Sequence, residues 1–102
     1  MKLEHYSEKK LRQSVLRIIN KYLDSNRYQV FFFGSRVRGD NFERSDIDLG
    51  IEGPVRVSAS IKLKIQEELD NLPLLYKIDL VDFNNVSKNF NKEAVKYKEY
   101  VR

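Results

Sequence analysis

Four large apolar residues in succession, Val30–Phe33, place the strongest constraint on the fold of this 102-residue chain. They are rich in residues that favour β-structure and are followed at once by Gly34, so we predict a short strand over residues 29–33 that is buried on both faces. Such a strand needs a covering layer on each side of its sheet. The run is far too short to cross a bilayer, so we interpret it as part of a globular core.

The rest of the chain alternates between helical and strand periodicity. Helical spacing is found in three segments, at about residues 8–23, 58–72 and from 87 onwards. The last segment places four residues on one apolar stripe: Phe90, Ala94, Tyr97 and Val101. Two further strands are predicted at residues 47–51 and 76–83, and the polar stretch 35–45 has room for one or two helical turns and a loop.

The resulting order, α-β-α-β-α-β-α, predicts a single α/β (α+β) domain over residues 1–102, with a small sheet covered by helices. A helix joins the second and third strands, so we expect them to be parallel with a right-handed crossover. The link between the first two strands is too short and irregular to assign a direction. Ser7 is the expected N-cap of the first helix.

The composition excludes several classes of site. The chain has no cysteine, which rules out disulfides, thiolate catalysis and cysteine-based zinc sites, and its single histidine cannot build a cluster. A net charge of +4 is only weak evidence for a polyanionic partner. The N-terminal residues lack the apolar stretch of a signal peptide, so we expect a soluble protein of the cytoplasm, away from membranes.

Three aspartates stand where strands rarely have them. Asp46 and Asp48 flank Ile47, and Asp79 lies inside the third predicted strand. Asp46 and Asp48 are expected to share a face, and Asp79 comes beside them if the second and third strands are neighbours. Three crowded carboxylates suit Mg²⁺, which can hold a nucleoside triphosphate. The alternative is that the three aspartates are solvated residues at strand ends. Asp82, three positions after Asp79, is expected to face away from it and to be structural or on the surface.

A second element follows the apolar strand. Gly34 and Ser35 stand between a strand and a short helix, an arrangement that offers free backbone N–H groups to phosphate. Arg36 and Arg38 come next and could add positive charge. A simple turn at Gly34–Ser35, and arginines that are solvated or paired with a nearby acid, remain the alternatives.

Together these elements resemble a known signature. The stretch FFFGSRVRGDNFERSDIDLGIEG, with Gly-Ser, ten residues and then Asp-x-Asp, resembles the nucleotide-binding motif of the DNA polymerase β-like nucleotidyltransferase superfamily and of its minimal members. The later KIDLVDF is similar to the third catalytic strand of that superfamily.

The resemblance implies a nucleotidyltransferase fold with a mixed sheet in the order 1-2-3. It implies nucleotide binding at Gly34 and Ser35, with Arg36 as a further candidate contact. It also implies that Asp46, Asp48 and Asp79 together bind two Mg²⁺ ions. Asp79 is further implied to help deprotonate the attacking hydroxyl. The implied reaction is transfer of a nucleoside monophosphate, by default AMP from ATP, with release of pyrophosphate.

The resemblance further implies a partner. Minimal members resemble one half of a two-gene system whose other half is a small helical HEPN toxin. By this resemblance the chain is the expected antitoxin, and AMPylation of the toxin is its expected activity. Phe90, Tyr97 and Tyr100 are interface candidates, although Phe90 and Tyr97 could simply cover the sheet. The alternatives are a non-catalytic nucleotide-binding subunit that neutralises its partner by binding and, ranked last because its basic residues are dispersed, a nucleic-acid-binding module.

Overall fold

The computed structural model describes residues 3, 6–34, 37, 46–86, 90 and 97–102. Within them the chain forms two long helices, α1 (Glu8–Asn20) and α2 (Ala59–Asp70), and a short 3₁₀ turn (Phe83–Asn85). Four strands make one sheet: β1 (Gln29–Phe33), β2 (Ile47–Glu52), β3 (Ile78–Asp82) and β4 (Glu99–Tyr100). No helix in these ranges is long and apolar enough to span a lipid bilayer.

The sheet has the order β3-β2-β1-β4 and is mixed. β2 and β3 are parallel, as their helical connection predicts, while β1 runs antiparallel to both β2 and β4. The predicted order 1-2-3 is therefore confirmed, with β4 added beside β1. A chain that crosses a sheet through a helix returns in the same direction, which accounts for the parallel pair.

Both long helices cover the same face of the sheet. The apolar stripe of α1 and two buried residues of α2 pack against the inward-facing residues of β1, β2 and β3. The members of this core that are fully inaccessible include Leu11, Val15, Ile19, Phe32, Ile47, Leu49, Ile51 and Ile65. Burial of these side chains provides the main driving force for the fold.

Both helices begin at a serine. The Ser7 hydroxyl oxygen accepts a hydrogen bond from the Lys10 N–H at 3.2 Å, which confirms the predicted N-cap, and Ser58 caps α2 through the Ile61 N–H at 3.3 Å. Each cap satisfies one of the N–H groups that a helix start leaves without a partner.

The outer edge of β3 is closed by a side chain of α2. The Gln66 amide nitrogen donates to the Ile78 carbonyl at 2.7 Å, and its amide oxygen accepts from the Leu80 N–H at 3.0 Å. Gln66 therefore makes the two hydrogen bonds that a further strand would make. An edge strand covered in this way is protected from pairing with another chain.

The prediction of one continuous helix from residue 87 to the end is wrong at its C-terminal part. Residues 99–100 form β4, in which Tyr100 pairs with Phe31 and Glu99 pairs with Phe32. Arg12 on α1 fixes this strand by donating to the Tyr100 carbonyl at 2.8 Å and to the Glu99 carboxylate at 2.7 Å. Most of the predicted helix, 87–89 and 91–96, and the predicted helical turns within 35–45, apart from helical Val37, lie outside the described residues.

Candidate active site

The face of the sheet that α1 and α2 leave uncovered carries the candidate site. Ile47, Leu49 and Ile51 of β2 are buried under the helices. Because side chains alternate along a strand, Asp48 and Gly50 face the other way.

Asp48 and Asp79 are direct neighbours on the two parallel strands. The register pairs Asp48 with Asp79, and residues paired across adjacent strands lie about 5 Å apart with their side chains on one face. Asp48 is half-buried, and the side chain of Asp79 is 39% exposed. The expected convergence of these two carboxylates is confirmed; their catalytic role stays a prediction.

Asp46 lies one residue before β2 and is exposed. The Ile47 N–H donates to the Lys77 carbonyl at 2.8 Å, so the parallel pairing continues at this end of the strands. This brings Asp46 next to Lys77 along the line of the register, with Asp48 next to Asp79. By the alternation of side chains, Asp46 shares the face of Asp48.

Gly34 follows β1 and brings the backbone against the Asp48 carboxylate. It is the one residue with a positive φ, +83°, among those described. A Cβ placed there would overlap Asp48 Oδ2 and would lie 3.1 Å from its Cγ. Both the conformation and the space therefore require glycine at this position, which brings its backbone against the Asp48 carboxylate.

Lys77 contributes a positive charge to this face. Its Nζ lies 3.6 Å from Asp79 Oδ1, and its side chain is 63% exposed. At this distance the two groups form an ion pair that solvent screens strongly.

The donor set fits a cation that arrives with a nucleotide. Over the described ranges, no three acidic, histidine or cysteine side chains form a group that could hold a metal ion. Mg²⁺ is commonly held by one or two carboxylates together with substrate phosphates rather than by an all-protein cage. Two hard carboxylates in register, beside a glycine that leaves room for phosphate, provide the protein's share of such a site.

An aromatic cluster extends the same face away from the carboxylates. Phe31, Phe33 and Phe83 are buried there and meet edge to face or tilted, with ring centroids 4.8–6.1 Å apart. Gly50 makes room for them, since a Cβ at this position would overlap the rings of Phe31 and Phe83. Lys98, whose side chain is only 8% exposed, lies 4.3 Å from the centre of the Phe31 ring.

Asp82 faces away from Asp79, as predicted, and of the two roles left open, structural or on the surface, it has the structural one. It is buried on the helix-covered side, where its carboxylate accepts from the Val57 N–H at 2.7 Å and from the Asn84 N–H at 3.0 Å. These bonds fix the loop that leads into α2 and the turn that follows β3.

Two of the predicted nucleotide contacts, Ser35 and Arg36, lie outside the described residues, as does Arg38. Sequence reasoning overlooked Lys77 and Gly50. For Lys77 the signal was present, because it stands two residues before Asp79 and so shares its face. A glycine inside a predicted strand, as at position 50, is itself a sign of close packing.

Comparison with known proteins identifies the family of this chain. The sequence profile described as Polymerase beta, Nucleotidyltransferase matches residues 14–101. The chain belongs to the polymerase β nucleotidyltransferase family. The match includes β1, β2 and β3 with the glycine and the aspartates described above, and it confirms the resemblance inferred from the sequence.

One curated relative has a name that indicates an activity. A protein named "Probable protein adenylyltransferase MntA", from Haemophilus influenzae, is 37% identical to the chain over 67 residues. The match covers 64% of this chain and 57% of the relative. It therefore spans a little over half the length of that protein.

Solved structures share the fold. A toxin-antitoxin with AMP-PNP superposes with a TM-score of 0.74 at 18% identity, covering 89% of this chain and 72% of the other. A tri-AMPylated HEPN toxin from Shewanella oneidensis in complex with MNT antitoxin gives a TM-score of 0.71 at 14% identity, covering 94% and 72%. At these identities the likeness concerns the fold, and it confirms the predicted nucleotidyltransferase architecture.

Proposed function

We propose that this chain is a Mg²⁺-dependent nucleotidyltransferase that transfers AMP from ATP to a hydroxyl group of an acceptor. The observation that carries the proposal is the pairing of Asp48 with Asp79 at the point where Gly34 brings the backbone against the Asp48 carboxylate. Family membership supports the reaction type, and the name of the Haemophilus influenzae relative supports AMP as the transferred group.

In this proposal the acidic residues bind the cations and the glycine turn binds phosphate. Asp46, Asp48 and Asp79 provide carboxylate oxygens for two Mg²⁺ ions. When bound, the ions neutralise the charge of the triphosphate and make the acceptor hydroxyl easier to deprotonate. Gly34, Ser35 and Arg36 contact the phosphates, and Gly34 does so through its backbone.

The transfer step is a displacement at phosphorus. The acceptor oxygen forms a bond to the α-phosphorus, the bond from that phosphorus to the α–β bridging oxygen breaks, and pyrophosphate leaves. The proton of the acceptor hydroxyl passes to the carboxylate of Asp79, whose side chain is 39% exposed. The protein's contribution is to hold the reacting groups in line and to complement their charge.

We further propose that the acceptor is a small helical HEPN toxin and that the chain acts as its antitoxin in the cytoplasm. The solved complex of an AMPylated HEPN toxin with MNT antitoxin supports this partner through the shared fold. Three aromatic side chains in the C-terminal part keep exposed area for such contacts: Phe90, Tyr97 and Tyr100 are 43%, 46% and 51% exposed. Phe90 also packs on the rings of Phe33 and Phe83, so it covers the sheet as well.

The test uses ATP labelled at the α-phosphate, Mg²⁺ and the protein encoded next to this chain. Asp48→Asn and Asp79→Asn keep the side-chain volume and remove the charge, so label transfer to the partner should fall more than about a hundredfold. Glu67→Gln, on an exposed position of α2, is the matched control and should transfer label at the unchanged rate.

Two results would contradict the proposal. If the intact chain transfers no label to an all-helical partner in the presence of Mg²⁺, the proposed enzymatic function is wrong. Transfer by the two asparagine variants at the rate of the intact chain would remove the site. If those variants still suppress the growth defect caused by the partner while transferring no label, the chain neutralises by binding, which is the non-catalytic alternative.

A further inference from the structure

The position of Lys77 is fixed by the same register that pairs the carboxylates. Ile47 pairs with Ile78, and the Ile47 N–H donates to the carbonyl of Lys77. Lys77 is therefore held one residue before β3 by a backbone hydrogen bond, and it shares the face of Asp79 two residues later.

The contact that Lys77 makes is close enough to neutralise charge and weak enough to exchange. The Nζ atom lies 3.6 Å from Asp79 Oδ1, with the lysine side chain 63% and the aspartate side chain 39% exposed. Ion pairs at this exposure add little to the stability of a protein. The lysine head group can therefore leave Asp79 at small cost when a better partner is offered.

The charges on this face favour movement of the Lys77 ammonium group to a bound triphosphate. Strand alternation places Asp46, Asp48 and Asp79 on one face, and within the described ranges the register brings the cationic Lys77 beside Asp79. A triphosphate approaching this face is repelled by the carboxylates and attracted by the ammonium group. Lysine is suited to this task because its compact charge is carried on a flexible four-carbon stem.

We infer that Lys77 is a positioning residue of the site with two alternating partners. In the nucleotide-free protein its ammonium group pairs with Asp79 and offsets the charge of that carboxylate. When a triphosphate binds, the ammonium group moves to a non-bridging phosphate oxygen, which frees Asp79 and holds the nucleotide. This inference rests on the proposed function, since it concerns the same nucleotide.

The experiment compares Lys77→Met, which keeps the apolar stem and removes the charge, with Lys77→Arg, which keeps the charge. Lys64→Met is the matched control, because Lys64 is an exposed lysine of α2, on the helix that covers the opposite face. Two affinities are measured for each protein: that for AMP-PNP with Mg²⁺, by titration calorimetry, and that for Mn²⁺ alone, by electron paramagnetic resonance.

The inference predicts changes of opposite sign. Lys77→Met should weaken AMP-PNP binding about tenfold, the loss expected for one charge-assisted hydrogen bond, while Lys77→Arg stays within about threefold of the natural protein. Mn²⁺ alone should bind to Lys77→Met about two to five times more tightly, because a competing positive charge has been removed from Asp79. Lys64→Met should change neither affinity.

Equal AMP-PNP affinity in Lys77→Met and the natural protein would overturn the inference and leave the proposed function intact. Weakening of AMP-PNP and Mn²⁺ binding together would overturn it as well, since that pattern indicates a distorted site rather than a lost charge. If the natural protein itself binds no AMP-PNP, the proposed function fails and the inference fails with it. If it binds AMP-PNP but transfers no AMP, the transfer proposal alone fails and the comparison of the lysine variants still decides the inference.

Discussion

Replacement of Gly34 by alanine tests the proposed site at its most constrained point. The residue has a φ of +83°, and an added Cβ would overlap the carboxylate oxygen of Asp48 and lie 3.3 Å from its Cβ. The substitution thus combines a backbone conformation that alanine disfavours with a collision against a candidate catalytic group. No other part of the protein needs to be invoked.

The size of the effect follows from these two terms. A left-handed conformation costs a non-glycine residue about 1–2 kcal/mol. Overpacking against a held side chain costs about 1–3 kcal/mol. The free energy of unfolding should therefore fall by about 2–5 kcal/mol. The Asp48 carboxylate must move by about an ångström to clear the added Cβ, so kcat/KM for AMP transfer should fall about a hundredfold.

Urea unfolding and transfer kinetics measure the two effects separately. Gly53→Ala is the matched control: its Cβ would overlap the ring of Tyr28 at the far end of β2, away from Asp48. It should lower the urea midpoint by a comparable packing cost and leave kcat/KM unchanged. In the background of Asp48→Ala, where the overlap is gone, Gly34→Ala should cost only the backbone term of about 1–2 kcal/mol.

Either of two results would refute the reasoning. If Gly34→Ala transfers AMP at the natural rate, the close approach of Gly34 to Asp48 has no part in the site. If its cost in stability is the same with and without the Asp48 carboxylate, the collision deduced from the geometry does not exist.

Three further substitutions test the fold around the site. Gln66→Leu should lower the unfolding free energy by about 1–3 kcal/mol and increase aggregation, measured by urea unfolding and light scattering, because it uncovers the edge of β3. Gly50→Ala should cost about 1–3 kcal/mol in thermal unfolding and change the near-ultraviolet circular dichroism of Phe31 and its neighbours. Hydrogen bonds from Lys21 and Tyr22 lower the pKa of the Glu68 carboxyl below its ordinary 4.5. The charged carboxylate therefore stabilises the folded state above pH 4.5, and this stabilisation is lost as the pH falls through the lowered pKa. Glu68→Gln should therefore flatten the fall of the urea midpoint between about pH 5 and pH 3, and an unchanged slope would contradict this.

The pairing of Asp48 with Asp79 could be predicted from the sequence because it needs only local information. Alternation along β2 and β3 assigns each aspartate to a face, and the helix between the strands makes them parallel. The strand ending in Gly34 was equally clear from its apolar run. These are patterns that a single segment carries by itself.

The strand β4 could not be predicted for the opposite reason. Two residues carry no periodic signal, and the apolar spacing that includes Tyr97 and Val101 is the spacing of a helix. What holds Glu99 and Tyr100 extended is their pairing with β1 and the hydrogen bonds from Arg12, nearly ninety positions earlier in the chain. Gln66 on the β3 edge is a similar case, since its partners are known only once α2 is packed on the sheet.

Because Asp48 and Asp79 are paired on adjacent strands, the spacing between those strands sets the distance between the two residues. Ladder hydrogen bonds hold that distance without help from any loop, so changes of loop length elsewhere should leave it intact. A single residue inserted between Asp46 and Asp48 would have the opposite effect, turning Asp48 toward the helices and an apolar side chain toward the face that carries the candidate site. In this protein the chemistry is encoded in strand register as much as in residue identity.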